Sequence, residues 1–153
     1  MSDPGYLIDT NILLRISRLE DPQYQIIKIA LATLRARSVP LCYSLQNIAE
    51  FWNVCTRPAE RNGYGLAPAE TSNLLEYIER TMTFLPDNDR VYSIWRQIVL
   101  ANNVRGVQVH DARLVAVMLA HGLTQILTLN QPDFARYRDL NVIHPSQLQT
   151  SAP

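Results

Sequence analysis

The chain has 153 residues, 47% of them hydrophobic and 18% charged, and its 14 Lys plus Arg balance its 14 Asp plus Glu to a net charge of zero. That length and apolar content suit one domain with a substantial core. No apolar run approaches the ~18 residues a membrane span needs, and the amino terminus lacks the basic and apolar regions of a signal peptide, so a cytoplasmic protein with no membrane contact is expected.

The first informative stretch is Tyr6-Leu7-Ile8-Asp9-Thr10-Asn11. Its apolar run gives way at once to a carboxylate, a hydroxyl and an amide, then to the helical pattern of residues 12–16, with Thr10 or Asn11 as candidate caps. Asp21-Pro22 opens a second helix, in which Ile26, Ile27, Ala30, Leu31 and Leu34 recur at helical spacing, ending near Arg37 and Ser38. Residues 39–43 read as a second strand, with Ser44 capping a helix that carries Glu50, Phe51, Trp52 and Cys55. Residues 57–65 hold Pro58, Gly63 and Gly65 and read as a loop, and Pro68 and Glu70 open the next helix.

Residues 82–85 form a third short strand, followed by a helix with Val91, Ile94, Trp95, Ile98 and Val99 on one face. Asp111 opens a nearly all-apolar helix that stops at His121-Gly122. Residues 125–129 and 140–143 are the fourth and fifth strands. One domain is expected over 1–146, with 147–153 a disordered tail. Strands separated by helices, without hairpin signals, point to an α/β three-layer sandwich: a central parallel sheet of about five short strands flanked by helices.

In such a sheet ligands bind beyond the carboxyl ends of the strands. Asp9 follows the first strand, Glu50 lies on the helix after the second, Asp111 precedes the fourth, and Asp133 follows it with Asn130 between. Carboxylates gathered without matching cations repel one another, and such a cluster usually holds a divalent ion. Hard oxygen donors favour Mg2+ or Mn2+ over zinc. Cys42 and Cys55 lack metal-ligand spacing and read as buried free thiols. Bland readings stand beside these: Asp111 as a helix cap, Asp133 as a turn residue, Glu50 as a solvated charge, Trp52 and Trp95 as core or interface aromatics, and His110, His121 and His144 as structural or exposed.

Leu-Ile-Asp-Thr-Asn at 7–11, Ile-Ala-Glu-Phe at 48–51, Val-His-Asp-Ala-Arg-Leu at 109–114 and Leu-Thr-Leu-Asn-Gln-Pro-Asp-Phe at 127–134 together resemble the PIN domain, most closely the VapC toxins of bacterial toxin–antitoxin pairs. The resemblance implies an Mg2+- or Mn2+-dependent endoribonuclease that restrains growth or translation, with the metal held by Asp9, Glu50 and Asp111. It implies a homodimer restrained by a small VapB-like antitoxin. Thr10, Asn11, Thr128 and Asn130 would orient the carboxylates or bind phosphate, and Arg113 would touch phosphate or pair with Asp111. The sequence departs from the family pattern at Asn130, where many members have an acid, and Asp133 is the candidate replacement.

With no overall positive field, RNA affinity would rest on the metal and on arginines such as Arg15, Arg57, Arg61 and Arg113. The loop with Arg57 and Arg61 is the candidate for selecting the target, its glycines permitting movement. The alternative reading is a catalytically inactive PIN-fold RNA-binding or assembly module. Phosphatases with a strand-end Asp nucleophile usually carry a second Asp two residues on, where this chain has Asn11.

Overall fold

The computed structural model describes residues 3–149. Five strands, β1 (Tyr6–Ile8), β2 (Leu41–Ser44), β3 (Thr83–Leu85), β4 (Gln125–Leu127) and β5 (Asn141–Ile143), form one sheet in the order β3-β2-β1-β4-β5. Every pairing is parallel. Six helices connect them: α1 (Thr10–Ile16), α2 (Tyr24–Ala36), α3 (Leu45–Thr56), α4 (Pro68–Thr81), α5 (Val91–Ala101) and α6 (Val109–Ala120). The expected three-layer α/β sandwich is what forms, with β1 at the centre.

Side chains alternate across a strand, and each strand accordingly feeds two cores. Tyr6 and Ile8 of β1, with Leu41, Tyr43 and Leu127, pack on one face against α1, α2, α3 and α4 through Ile12, Leu31, Phe51 and Ile78. Leu7, Cys42, Leu85 and Ile126 pack on the other against α5 and α6. α6 buries Ala112 and nearly every residue from Leu114 to Ala120, which explains its almost unbroken apolar sequence. Trp95 belongs to this second core and donates its Nε1 hydrogen to the Val109 carbonyl at 3.1 Å. Cys42 and Cys55 are buried and free, and burial pushes both thiols up to about 11.

Local signals placed the starts of α3 and α4, whereas α2 opens at Tyr24 behind Gln23 with no side-chain cap, rather than at Asp21-Pro22. Ser44 caps α3 in a reciprocal arrangement with Asn47, and the Glu70 side chain accepts from the Ala67 N–H ahead of Pro68 in α4. Several expectations need correction. Asp9 itself caps α1, rather than Thr10 or Asn11. α6 begins at Val109, so Asp111 lies inside its first turn and is not the cap. The chain from Ser146 is not frayed as far as Gln149: Pro145–Leu148 form a 3-10 turn that buries Leu148, and Gln149 donates to the Ile26 carbonyl of α2. The rest of the expected tail, 150–153, lies outside the described residues. Among the described residues, no helix is long and apolar enough to cross a membrane.

The loop at 57–65 is compact and closed by its own backbone hydrogen bonds. Asn62 takes a left-handed conformation (φ 63°), and the amides of Asn62, Gly63, Tyr64 and Gly65 all donate to backbone carbonyls. Gly63 is there for space: a Cβ on it would lie 2.0 Å from the Arg57 carbonyl oxygen. Overpacking of this kind costs about 1–3 kcal/mol. Gly63→Ala should lower the thermal midpoint by several degrees in a calorimetric scan; an unchanged midpoint would show that the turn relaxes freely.

Candidate active site

The centre of the site is Asp9, where β1 hands over to α1. Its N–H donates to the Leu127 carbonyl at 3.0 Å, carrying the β1–β4 ladder one residue past the strand. Its side chain then turns back to the chain end. Oδ1 accepts from the Thr10 N–H at 2.8 Å, and Oδ2 accepts from the Thr128 hydroxyl at 2.7 Å and from Asn11 Nδ2 at 3.4 Å. Asn11 in turn accepts from the Leu129 N–H at 3.2 Å, and Thr128 Oγ1 from the Asn130 N–H at 3.0 Å. One carboxylate thus stitches the start of α1 to the exit of β4.

Glu50 approaches from α3. Thr10 Oγ1 donates to its Oε2 at 2.8 Å, and Asn47 Nδ2 donates to that hydroxyl at 3.2 Å. Asp111 arrives from the first turn of α6. Asp133 lies on the 3-10 turn after β4 and accepts from Asn130 Nδ2 at 2.7 Å. Asn130 and Asp133 therefore act as a bonded pair, and the two candidates for the fourth position are not separate.

The acids are close enough to feel one another. Burial pushes the Asp9 carboxyl up to about 6, with the charges of Glu50 and Asp111 adding to the rise and the Thr128 and Thr10 hydrogen bonds opposing it. Burial likewise raises Asp111 to about 6, helped by Asp133 and Glu50 and opposed by His110 and Arg136. No Lys or Arg forms an ion pair with Asp9, Glu50, Asp111 or Asp133 among the described residues; the ion pairs there are Arg15–Asp21, Arg18–Glu20 and Arg113–Asp87.

Those pairs correct two expectations. Arg113 pairs with Asp87 beyond β3 at 2.8 Å and not with Asp111. Arg15 is held by Asp21 at 2.9 Å, whose other oxygen accepts from the Gln23 N–H, so it fastens the α1–α2 connection. Arg57 donates to the Asn62 carbonyl and Arg61 is exposed. Three contributors were missed in the sequence. Gln46 and Asn47 lie one turn or less before Glu50, and the Ser44-x-x-Asn47 spacing of a capping box could have flagged the second. Arg136 carried no local signal, since it reaches the acids only through the turn after β4.

The donor set suits a hard divalent cation by its chemistry: carboxylates from three separate elements, mutually repelling and without a protein cation to balance them. Among the described residues, no three His, Cys, Asp or Glu side chains are already drawn round one point as ligands. Asp9 and Glu50 are both held by hydrogen bonds, so Asp111 is the side chain that would turn to join them.

A parallel sheet with a buried Asp and further carboxylates gathered at its carboxyl edge defines an α/β protein with an acidic strand-end site, and the chain belongs to the PIN domain family, which matches residues 6–140. No curated protein matches it in sequence. Among solved structures, it has the fold of FitAcB from Neisseria gonorrhoeae, at 20% identity over 94% of this chain and 99% of that one, with a TM-score of 0.66. It likewise resembles VapBC2 from Rickettsia felis bound to a promoter DNA fragment, at 14% identity, covering 91% and 97% of the two chains, TM-score 0.65. A third is VapC20 of Mycobacterium tuberculosis, a sarcin-ricin loop cleaving toxin, at 17% identity over 87% and 95%, TM-score 0.61.

The raised Asp9 pKa has a signed consequence for stability. An unfolded Asp ionises near 3.8 and the folded one near 6, so the native state binds the extra proton between those values. Stability from this group is greatest below about pH 4, declines as pH rises to about 6 and stays about 3 kcal/mol lower above that. In metal-free buffer at pH 7.5, Asp9→Asn should therefore melt about 6–12 °C higher than the wild type, with the gain absent at pH 4. A variant that melts lower at both pH values would mean that the hydrogen bonds of the carboxylate outweigh its desolvation.

Proposed function

We propose that the protein is a divalent-metal-dependent endoribonuclease that hydrolyses RNA phosphodiester bonds, acting in the cytoplasm as the toxin of a toxin–antitoxin pair. The observation that carries this reading is the group of Asp9, Glu50 and Asp111, contributed by three elements, two of them with pKa values raised chiefly by burial and further by their neighbours' charges. Carboxylates held together without ion-pair partners destabilise the fold, and such perturbation clusters at functional sites. Further support comes from the family, and from the VapC20 structure of like fold, a sarcin-ricin loop cleaving toxin.

Asp9, Glu50 and Asp111 would hold Mg2+ or Mn2+, with Asp133 and its partner Asn130 at the fourth position. When bound, the ion would supply Lewis-acid activation of water and stabilise charge on the phosphate. Thr128, Asn11 and Thr10 keep the Asp9 and Glu50 oxygens aimed, so that little ordering remains to be done when substrate arrives. Arg136, whose charge acts on Asp111, joins Arg113 as a phosphate-binding candidate. Arg57 and Arg61, on a turn closed by backbone hydrogen bonds, are proposed to help select the RNA by shape. Partners on this reading are an RNA substrate, a small VapB-like antitoxin and a second copy of the chain. The FitAcB, VapBC2 and VapC20 structures support the toxin–antitoxin setting.

One observation favours the alternative of a catalytically inactive RNA-binding or assembly module: the acids are not preassembled as ligands. Mapping RNA 5′ ends after brief expression of the wild type and of Asp9→Asn separates the two. New ends confined to the wild type, abolished with EDTA and restored with Mg2+ in the purified reaction, are expected, with Asp9→Asn at least 100-fold slower. Identical maps from two folded proteins would leave the inactive module. On a cleaved RNA, Arg136→Ala should raise KM about tenfold with kcat little changed; a loss confined to kcat would place Arg136 in the chemical step.

A further inference from the structure

Glu50 and Asp111 come from opposite helical layers. α3 is anchored by Phe51 and Cys55 in the core on one face of the sheet, and α6 by Ala112 and Leu114 to Met118 in the core on the other. The sheet stands between those cores, so packing alone leaves the two acids meeting across its carboxyl edge. Gln46 crosses that edge. Its Nε2 donates to Glu50 Oε1 at 3.0 Å and to the His110 carbonyl at 2.7 Å. Among the described residues this is the side-chain hydrogen bond that joins α3 to α6.

Both partners are acceptors, which dictates the orientation of the amide: Oε1 turned toward either would be repelled. The consequence is visible at the other end of the group, where Gln46 Oε1 is buried without a hydrogen-bond partner. A folded chain keeps an unsatisfied acceptor only where the donated bonds outweigh it. Glu50 is thus gripped from two sides, Oε2 by Thr10 of α1 and Oε1 by Gln46. The second grip also holds the backbone of the residue that precedes Asp111.

We infer that Gln46 is a positioning residue that sets the separation of Glu50 from Asp111 by clamping Glu50 to the first turn of α6, and so tunes how tightly the acid cluster takes a divalent cation. The inference rests on the metal-dependent reading above. In sequence a Gln four residues before a Glu is an ordinary helix-surface pair; only its second bond, to a carbonyl 64 residues away, makes it a strut. Without that strut Glu50 would be ordered at the expense of ion binding, and loss of such outer hydrogen bonds typically weakens metal affinity 10- to 100-fold.

The test is Mn2+ titration of the full chain, followed by the electron paramagnetic resonance signal of the free ion, for wild type, Asp9→Asn, Gln46→Met and Gln46→Asn. Gln46→Met keeps length and removes the donors; Gln46→Asn keeps the amide but is too short to span both acceptors and serves if the first variant folds poorly. The expected result is a 10- to 100-fold loss of Mn2+ affinity in both variants, metal-free melting temperatures within a few degrees of wild type, and a lowered kcat at unchanged KM for RNA. Wild-type Mn2+ affinity in either folded variant, with or without altered melting, overturns the inference. Wild-type protein that binds Mn2+ no better than Asp9→Asn instead removes the metal-dependent reading, and the inference with it.

Discussion

The position of one carboxylate governs this structure. Asp9 continues the β1–β4 ladder with its N–H, caps α1 with one oxygen and takes the Thr128 hydroxyl with the other. It is nonetheless held in a form that burial and its neighbours disfavour. The same atom that organises the centre of the sheet is a charge the fold would be more stable without. Strong local hydrogen bonding and adverse long-range electrostatics meet at a single residue, and the remaining acids are arranged around that conflict.

The fold manages it with hydroxyls and amides. Thr10, Asn11, Asn47, Gln46, Thr128 and Asn130 all contact a carboxylate or a group that does. A neutral donor aims a carboxylate without cancelling its charge, whereas an ion pair would do both. Three arginines are engaged elsewhere, Arg15 on Asp21, Arg113 on Asp87, and Arg18 beside Glu20 and over the Tyr64 ring, and Arg136 acts on Asp111 without forming an ion pair. What results is a negatively charged strand-end site whose carboxylates are aimed by neutral donors, an arrangement that suits a cation.

The misreadings in sequence share one cause. Arg113 lies two residues from Asp111 in sequence, but two residues on a helix is more than half a turn, and its side chain leaves on another side toward Asp87. Gly63 read as a glycine kept for backbone freedom, yet the position also has no room for a Cβ beside Arg57. The polar stretch after Ser146 looked frayed because the burial of Leu148 against α2 depends on a surface formed more than a hundred residues earlier. In each case a local rule was applied where a distant neighbour decided.

Alternation of apolar runs with 3.6-residue patterns was enough to determine the parallel α/β sandwich, the approximate place of all five strands and the capping role of Ser44. These follow from short-range sterics and periodicity, which each segment carries by itself. The order of acids along the chain also marked Asp9, Glu50 and Asp111, because the ends of parallel strands are set by the same periodicity. Tertiary structure alone decided the rest. It chose Asp9 rather than Thr10 or Asn11 as the cap, joined Asn130 to Asp133 and drew in Arg136. It also turned Gln46 from a surface residue of α3 into the bridge to α6. Those choices depend on angles and distances between elements far apart in sequence, where an error of an ångström makes or breaks a hydrogen bond, and no local pattern encodes them.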